Sequence, residues 1–256
     1  DHTGYYTPIE PYPVLEVESI AIKKDAVYPA TVVGKPPLED KYMGYLTERI
    51  FLPLLQTTAP SLIDYHMPEN GVFHNLIIAK TRTAYPGEAK QVMHSLWGAG
   101  QMSFVKHAIF VDDQAPALTV YQPLRRYILD RFSVKNLIIS EGVCDALDHA
   151  SPEYAEGGKA ALDCTKESES RELFRLSDEE LHAKVKGLSE DFKALRQFES
   201  DSSNPVTVIL IDKKEVSKNY IEKLKSLGKH IRKLSQIFRL VQIRYQDTGK
   251  CLPPTR

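Results

Sequence analysis

Apolar and polar positions alternate from Val14 to Ile22, as a half-buried β-strand requires. Lys23 to Ala26 is a polar turn, and Tyr28 to Val33 is a second, more apolar run, so the two predict an antiparallel hairpin. Pro8, Pro11 and Pro13 exclude a helix before it. Gly34 to Asp40 reads as a loop, permissive at Gly34 and stiff at Pro36 and Pro37. From Lys41 to Gln56 the period changes to about 3.6, carried by Tyr42, Tyr45, Leu46, Arg49, Ile50, Leu52 and Leu54, which predicts a helix. Pro53 predicts a kink or an early end, and Pro60 closes the segment.

Further on, Phe73 to Lys80 reads as a short buried strand, Ala84 to Trp97 as a helix opening on Pro86-Gly87, and Lys106 to Asp113 as another strand. A crossover of this length implies a parallel pair in an α/β layer. Leu118 to Arg131 reads as helix and Val134 to Ile139 as strand. Residues 141 to 165 read as irregular, and residues 166 to 200 as charged and helical, with a capping box from Ser177 to Glu180. Asp201 to Pro205 reads as a linker. A second strand–helix–strand module follows, with a strand at Val206 to Ile211, a helix at Lys214 to Leu227 ending at Gly228, and a strand at Leu240 to Tyr245. No internal repeat is present.

Composition changes this picture little. The 256 residues, 42% hydrophobic and 26% charged, have room for one large domain or two ordinary ones. A net charge of -1 gives no case for a nucleic-acid partner or for a membrane surface held by charge. No apolar run approaches the roughly 18 residues of a membrane-spanning helix. Asp1 to Glu10 has neither the basic start nor the apolar stretch of a signal peptide. Cys144, Cys164 and Cys251 are odd in number and far apart, which reads as free thiols in a reducing compartment.

Taken alone, the candidate chemistry is thin. His74 and His94 fall on different elements with no H-x3-H or H-E-x-x-H spacing, so no metal ligand is assigned. Asp148, His149 and Ser151 contain the residue types of nucleophilic catalysis, but they are too close in sequence for a triad and no G-x-S-x-G surrounds Ser151. Gly34 and Lys35 are too few for an anion cradle and read as a rigid turn. Tyr5, Tyr6 and Tyr12 fit an aromatic pocket or ordinary packing equally well.

Three segments carry more when taken together. They are Asp1-His2-Thr3-Gly4-Tyr5-Tyr6, Tyr28-Pro29-Ala30-Thr31-Val32-Val33-Gly34-Lys35-Pro36-Pro37-Leu38-Glu39-Asp40, and Asp145-Ala146-Leu147-Asp148-His149-Ala150-Ser151-Pro152 followed by Gly157-Gly158-Lys159. Together they resemble the UbiD family of aromatic acid decarboxylases over about residues 1 to 165. The resemblance implies a mixed α+β and α/β fold. The end of a split β-barrel cofactor domain would occupy residues 1–40, a connecting helix 41–60, a C-terminal α/β domain 61–200 and a small βαβ extension 201–256. It places Asp1 as the proton donor that quenches the substrate after carbon dioxide leaves, with its glutamate and arginine partners upstream. Val33, Gly34 and Lys35 would lie against a prenylated flavin mononucleotide, and Met43 and Gly44 near the substrate ring. Lys35 stands where relatives often carry arginine, which keeps the charge but not a bidentate geometry. The Asp145 to Asp163 block is expected to be structural or interface-forming.

The implied activity is a non-oxidative, reversible decarboxylation of an aromatic or unsaturated acid, in ubiquinone or menaquinone biosynthesis. Prenylated FMN would be held with a divalent metal and potassium by ligands upstream of residue 1. Expected partners are the small aromatic acid, further copies of the chain and a flavin prenyltransferase that supplies the cofactor. The expected location is the cytoplasm, or peripheral to the membrane. Two other readings remain open: an inactive C-terminal assembly portion, and a flavin-reductase-like split-barrel domain.

Overall fold

The computed structural model describes residues 9, 11–30, 39–151, 153–167, 176–186 and 192–211. The chain divides into two units, Asp1–Leu124 with Ser133–Lys166, and Arg125–Phe132 with Glu167–Arg256.

In the first unit, helix α1 (Glu39–Thr58) leads into strand β1 (Leu62–His66). Strand β2 (Leu76–Thr81), helix α2 (Glu88–Trp97) and strand β3 (His107–Val111) follow, and after helix α3 (Tyr121–Arg131), most of which belongs to the second unit, come strands β4 (Leu137–Val143) and β5 (Glu156–Cys164). These five strands form one mixed sheet in the order β1-β2-β3-β5-β4. The expected parallel pair is there: β2 and β3 run in register from Leu76 opposite His107 to Lys80 opposite Val111. β5 adds to β3 in parallel, while β1 and β4 cap the edges antiparallel to β2 and β5.

The core lies where α1 and α2 cover this sheet. Ala89, Val92, Met93 and Leu96 repeat at helical spacing and pack with Leu55 and Ala59 of α1 onto Leu62, Tyr65, Ile77, Ala79, Ala108 and Phe110. Ile77, Ala79 and Val111 are wholly buried, as strands covered by helices must be.

The second unit packs Leu181 and Val185 of α4 (Asp178–Lys186) with Leu176 against Phe192 of β6 (Phe192–Phe198) and Ile209 of β7 (Val206–Ile211). The capping box forms: Glu180 N donates to Ser177 Oγ at 3.2 Å, and Ser177 N donates to the Glu180 carboxylate at 2.8 Å.

Several local expectations are corrected. Residues 11–30 contain no strand, only a turn at Lys24-Asp25, and Val14, Val17, Ile20, Ile22 and Tyr28 are all exposed. Alternation makes a strand possible, but a strand exists only when a neighbour takes up its N–H and C=O groups. Helix α1 does not end at Pro53 but continues to Thr58. Residues 62–66, for which no element was expected, form β1. The segment 141–165 is largely ordered as the end of β4 and the whole of β5. Part of the stretch expected to be helical, Phe192–Phe198, is a strand paired antiparallel with β7. Asp201 to Pro205 forms the turn of that hairpin rather than a linker. There Asn204 Nδ2 donates to the carbonyls of Leu129 and Phe132 at 2.7 and 2.9 Å. The helix and strand expected beyond residue 211 lie outside the described residues.

Candidate functional site

Of the site residues named from sequence, Met43 and Gly44 are described, whereas Asp1, Val33, Gly34 and Lys35 lie outside the described residues. Met43 and Gly44 sit near the start of α1, and Met43 is 53% exposed. Gly44 brings the helix backbone against an aromatic ring. A Cβ there would lie 3.5 Å from Cδ1 and 3.6 Å from Cβ of Phe73.

Phe73 comes from the loop between β1 and β2, which is held at many points. A short 3-10 turn, Glu69–Gly71, opens it. Lys41 of α1 pairs with Glu69 at 2.8 Å. Gly71 is obligatory, because a Cβ would stand 2.3 Å from Leu76 Cβ. The chain then turns through two consecutive left-handed residues that are not glycine, Val72 at φ 50° and Phe73 at φ 63°. The next residue, His74, faces Asp145 at 3.7 Å.

The remainder of α1 is fixed to the sheet by one buried carboxylate, Glu48, and by an exposed ion pair of Arg49. Glu48 accepts a hydrogen bond from Met67 N at 2.6 Å and lies 3.1 Å from His66 Nδ1. Arg49 reaches Asp64 and the Tyr65 carbonyl, each at 2.6 Å. Burial, with Glu48 nearby, pushes the Tyr65 hydroxyl up to about 12, so it stays protonated across the working range.

The block from Asp145 to Ser151 folds into a polar lock. Lys106 pairs with Asp148. Ser151 Oγ donates to Asp148 at 2.7 Å and lies 2.9 Å from Cys144 Sγ. Cys144 is fully buried. Ser151 thus bonds to a carboxylate already neutralised by a lysine, which gives the serine no base. A buried Lys159 lies on β5 beside this lock, its Nζ donating to the carbonyls of Ser103 and Val105 at 2.6 and 2.8 Å. Burial pushes its ammonium down from the ordinary lysine value.

His94 is exposed in the last turn of α2. Among the described residues no group of three His, Cys, Asp or Glu could hold a metal ion. No described helix is long and apolar enough to cross a membrane. Sequence reasoning missed Phe73 and Glu48. Gly71 was the one available signal for the first, since Asn70-Gly71 marks a turn. Nothing in the sequence separates Glu48 from a solvated helix residue.

Residues 41–164 match the family described as the 3-octaprenyl-4-hydroxybenzoate carboxy-lyase C-terminal domain, and residues 1–36 match the Rift-related domain of the same carboxy-lyase. Between them the two matches cover more than half of the chain. An uncharacterised protein of Helicobacter pylori strain J99 is 61% identical over 227 residues, which are 89% of this chain and 36% of that protein. One from Aquifex aeolicus is 42% identical over 165 residues, 64% of this chain and 34% of the other. The chain thus spans about a third of the length of these relatives. Among solved structures, the open form of vanillic acid decarboxylase from Sedimentibacter hydroxybenzoicus is 19% identical with a TM-score of 0.48, covering 77% of this chain and 36% of that one. The UbiD-class enzyme HmfF from Pelotomaculum thermopropionicum, in complex with FMN, is 19% identical with a TM-score of 0.43, covering 52% and 30%.

Proposed function

Because the chain belongs to the UbiD family of carboxy-lyases, we propose that it is the C-terminal part of a non-oxidative, reversible decarboxylase of an aromatic or unsaturated carboxylic acid. The observation that carries this reading is the succession of two domains of one carboxy-lyase family. The first match ends at residue 36 and the second begins at 41, with α1 starting between them at Glu39. In this reading α1 connects the cofactor domain to the α/β sheet, and Met43 and Gly44 on its first turns face the substrate ring.

The residues take distinct roles. Asp1 donates the proton to the carbon that has lost carbon dioxide, a role that needs burial to keep its carboxyl protonated near neutral pH. Val33 would approach the flavin by its backbone, with Gly34 and Lys35 beside the cofactor and Lys35 adding a positive charge. A bound prenylated flavin supplies an electron sink for the developing carbanion. Its divalent metal and potassium are assigned to the part of the longer relatives that this chain does not span. A hydroxybenzoate-like or naphthoate-like acid of a quinone pathway is the substrate class this reading favours. Other copies of the chain and a flavin prenyltransferase are its partners.

The test is to produce the full-length parent together with a flavin prenyltransferase and to follow labelled carbon dioxide exchanging into a panel of aromatic acids. Exchange is expected, and Asp1→Asn should lower it about a hundredfold or more, the scale of a lost general acid. A flavin-loaded protein that exchanges none of the panel overturns the reading.

A further inference from the structure

We propose that Phe73 is a specificity-determining residue of the substrate site, presenting a fixed aromatic surface beside Met43 and Gly44 to the planar ring of the acid. This rests on the decarboxylase reading and deepens it.

Val72 and Phe73 both hold left-handed φ angles, 50° and 63°, where side chains with a Cβ are disfavoured and a β-branched valine most of all. Such a conformation persists only when the surroundings over-determine it. Here they do. Gly71 is wedged against Leu76, with its carbonyl accepting from Asn75 N at 2.8 Å. Glu69 is tied to Lys41 at 2.8 Å, and His74 faces Asp145 at 3.7 Å. The Asn75 carbonyl accepts from Lys106 N and His107 N, at 3.1 and 2.8 Å, which fixes the loop's end to the start of β3.

The loop delivers a ring onto Gly44. The nearest atoms to a Gly44 Cβ all belong to Phe73. Phe73 is half-buried and stands outside the core that α1 and α2 form on the sheet. A strained loop clamped from several sides, ending on a partly exposed aromatic side chain, is more than packing demands. Its contact is the glycine assigned to the substrate site. Phe73 is a flat, stiff surface with two χ angles and a negative face, suited to offset or edge-to-face contact with another aromatic ring. Met43, which precedes Gly44 on α1, is flexible and polarisable, so it adapts to substituents. The pair would set ring size and planarity, while the proton transfer stays with other residues.

The experiment uses the full-length, flavin-loaded parent with Phe73→Leu and Phe73→Trp. Carbon dioxide exchange is compared for a one-ring acid, a two-ring acid and a conjugated dienoic acid. Phe73→Leu should raise KM for both aromatic acids about three- to tenfold, the scale of an aromatic pair, with kcat nearly unchanged and the dienoic acid unaffected. Phe73→Trp should discriminate against the two-ring acid. A parallel titration measures Kd for the aromatic carboxylates without turnover, and thermal melting checks that each variant is folded. An active wild type whose Phe73→Leu variant keeps its KM, or loses all three acids equally, overturns the role of Phe73 and leaves the decarboxylase reading standing. A wild type that exchanges nothing overturns the reading. In that case equal Kd values for wild type and Phe73→Leu also overturn the aromatic surface, and a weaker Kd in the variant supports it.

Discussion

Asp148 keeps 6% of its side chain exposed, yet it pairs with Lys106 and accepts hydrogen bonds from Ser151 Oγ and, at 3.0 Å, from Ala150 N. Burial alone would raise its pKa, but the bonds from Lys106 and Ser151 outweigh it and the net shift is downward. A folded-state value below the unfolded one gives stability that is complete above the ordinary aspartate range and is lost as pH falls through the folded value. Asp148→Asn leaves the Lys106 ammonium without its carboxylate, so it should cost about 3 kcal/mol in urea unfolding at neutral pH. The gap to wild type should persist at about pH 5 and narrow at about pH 3, since the unfolded group titrates near 3.9. A gap that does not change with pH would rule out the charge pair as its source. The same lock constrains Gly157, where a Cβ would lie 2.6 Å from Ser151 Oγ and 3.3 Å from Cys144 Sγ. Gly157→Ala should therefore cost about 1–3 kcal/mol through overpacking, whereas the same substitution at Gly158, which has open space around it, should be nearly silent in the same unfolding assay.

At the scale of elements, legibility followed the strength of the local pattern. The 3.6 period of residues 41–56 located α1, and the run Phe73 to Lys80 located β2, although Phe73 to Asn75 turn out to be the turn before the strand, because both patterns reflect burial on one side or both. The misses have a common cause. β5 contains Gly157, Gly158 and Lys159, poor local advertisements for a strand, and is a strand because β3 and β4 bond it from both sides. β6 reads Phe192-Lys193-Ala194-Leu195-Arg196-Gln197-Phe198, rich in helix formers, and only its pairing with β7 makes it extended. Conversely, residues 14–22 alternate well but find no partner among the described residues. The persistence of α1 through Pro53 belongs here too. Proline lacks the N–H that a helix interior uses and crowds the preceding turn, at about 3 kcal/mol relative to alanine. Pro53→Ala should raise the unfolding midpoint, with a gain of about 1–3 kcal/mol. No gain would mean that the surrounding packing has already absorbed the defect.

For the molecule as a whole, the sequence reaches the proposed site only through a motif. Met43 and Gly44 could be named from a motif, but the ring that covers Gly44 comes from a loop 29 residues later whose approach depends on Val72 and Phe73 turning left-handed. No propensity announces that conformation in residues other than glycine. Under the proposed reading, in which the chain is part of a longer protein, the same helix has a second consequence. Its one face packs Leu52 and Leu55 against the core, while Tyr42, Leu46, Ile50 and Leu54 form an exposed apolar stripe at i, i+4 spacing on the other. A helix apolar on both faces is built to be covered on both. The relatives are about three times as long as the matched region, which supplies the chain to cover it under the proposed reading. Leu46→Lys combined with Ile50→Lys separates the alternatives. In the isolated 256-residue chain the pair should leave the melting temperature nearly unchanged and reduce self-association, because both side chains already face water. In the full-length parent the two lysines would have to be buried, and the loss should reach about 3 kcal/mol or more, the transfer cost of two large aliphatic side chains. Equal, small effects in both proteins would mean that the stripe stays exposed in the parent and that α1 is not the element joining its two domains.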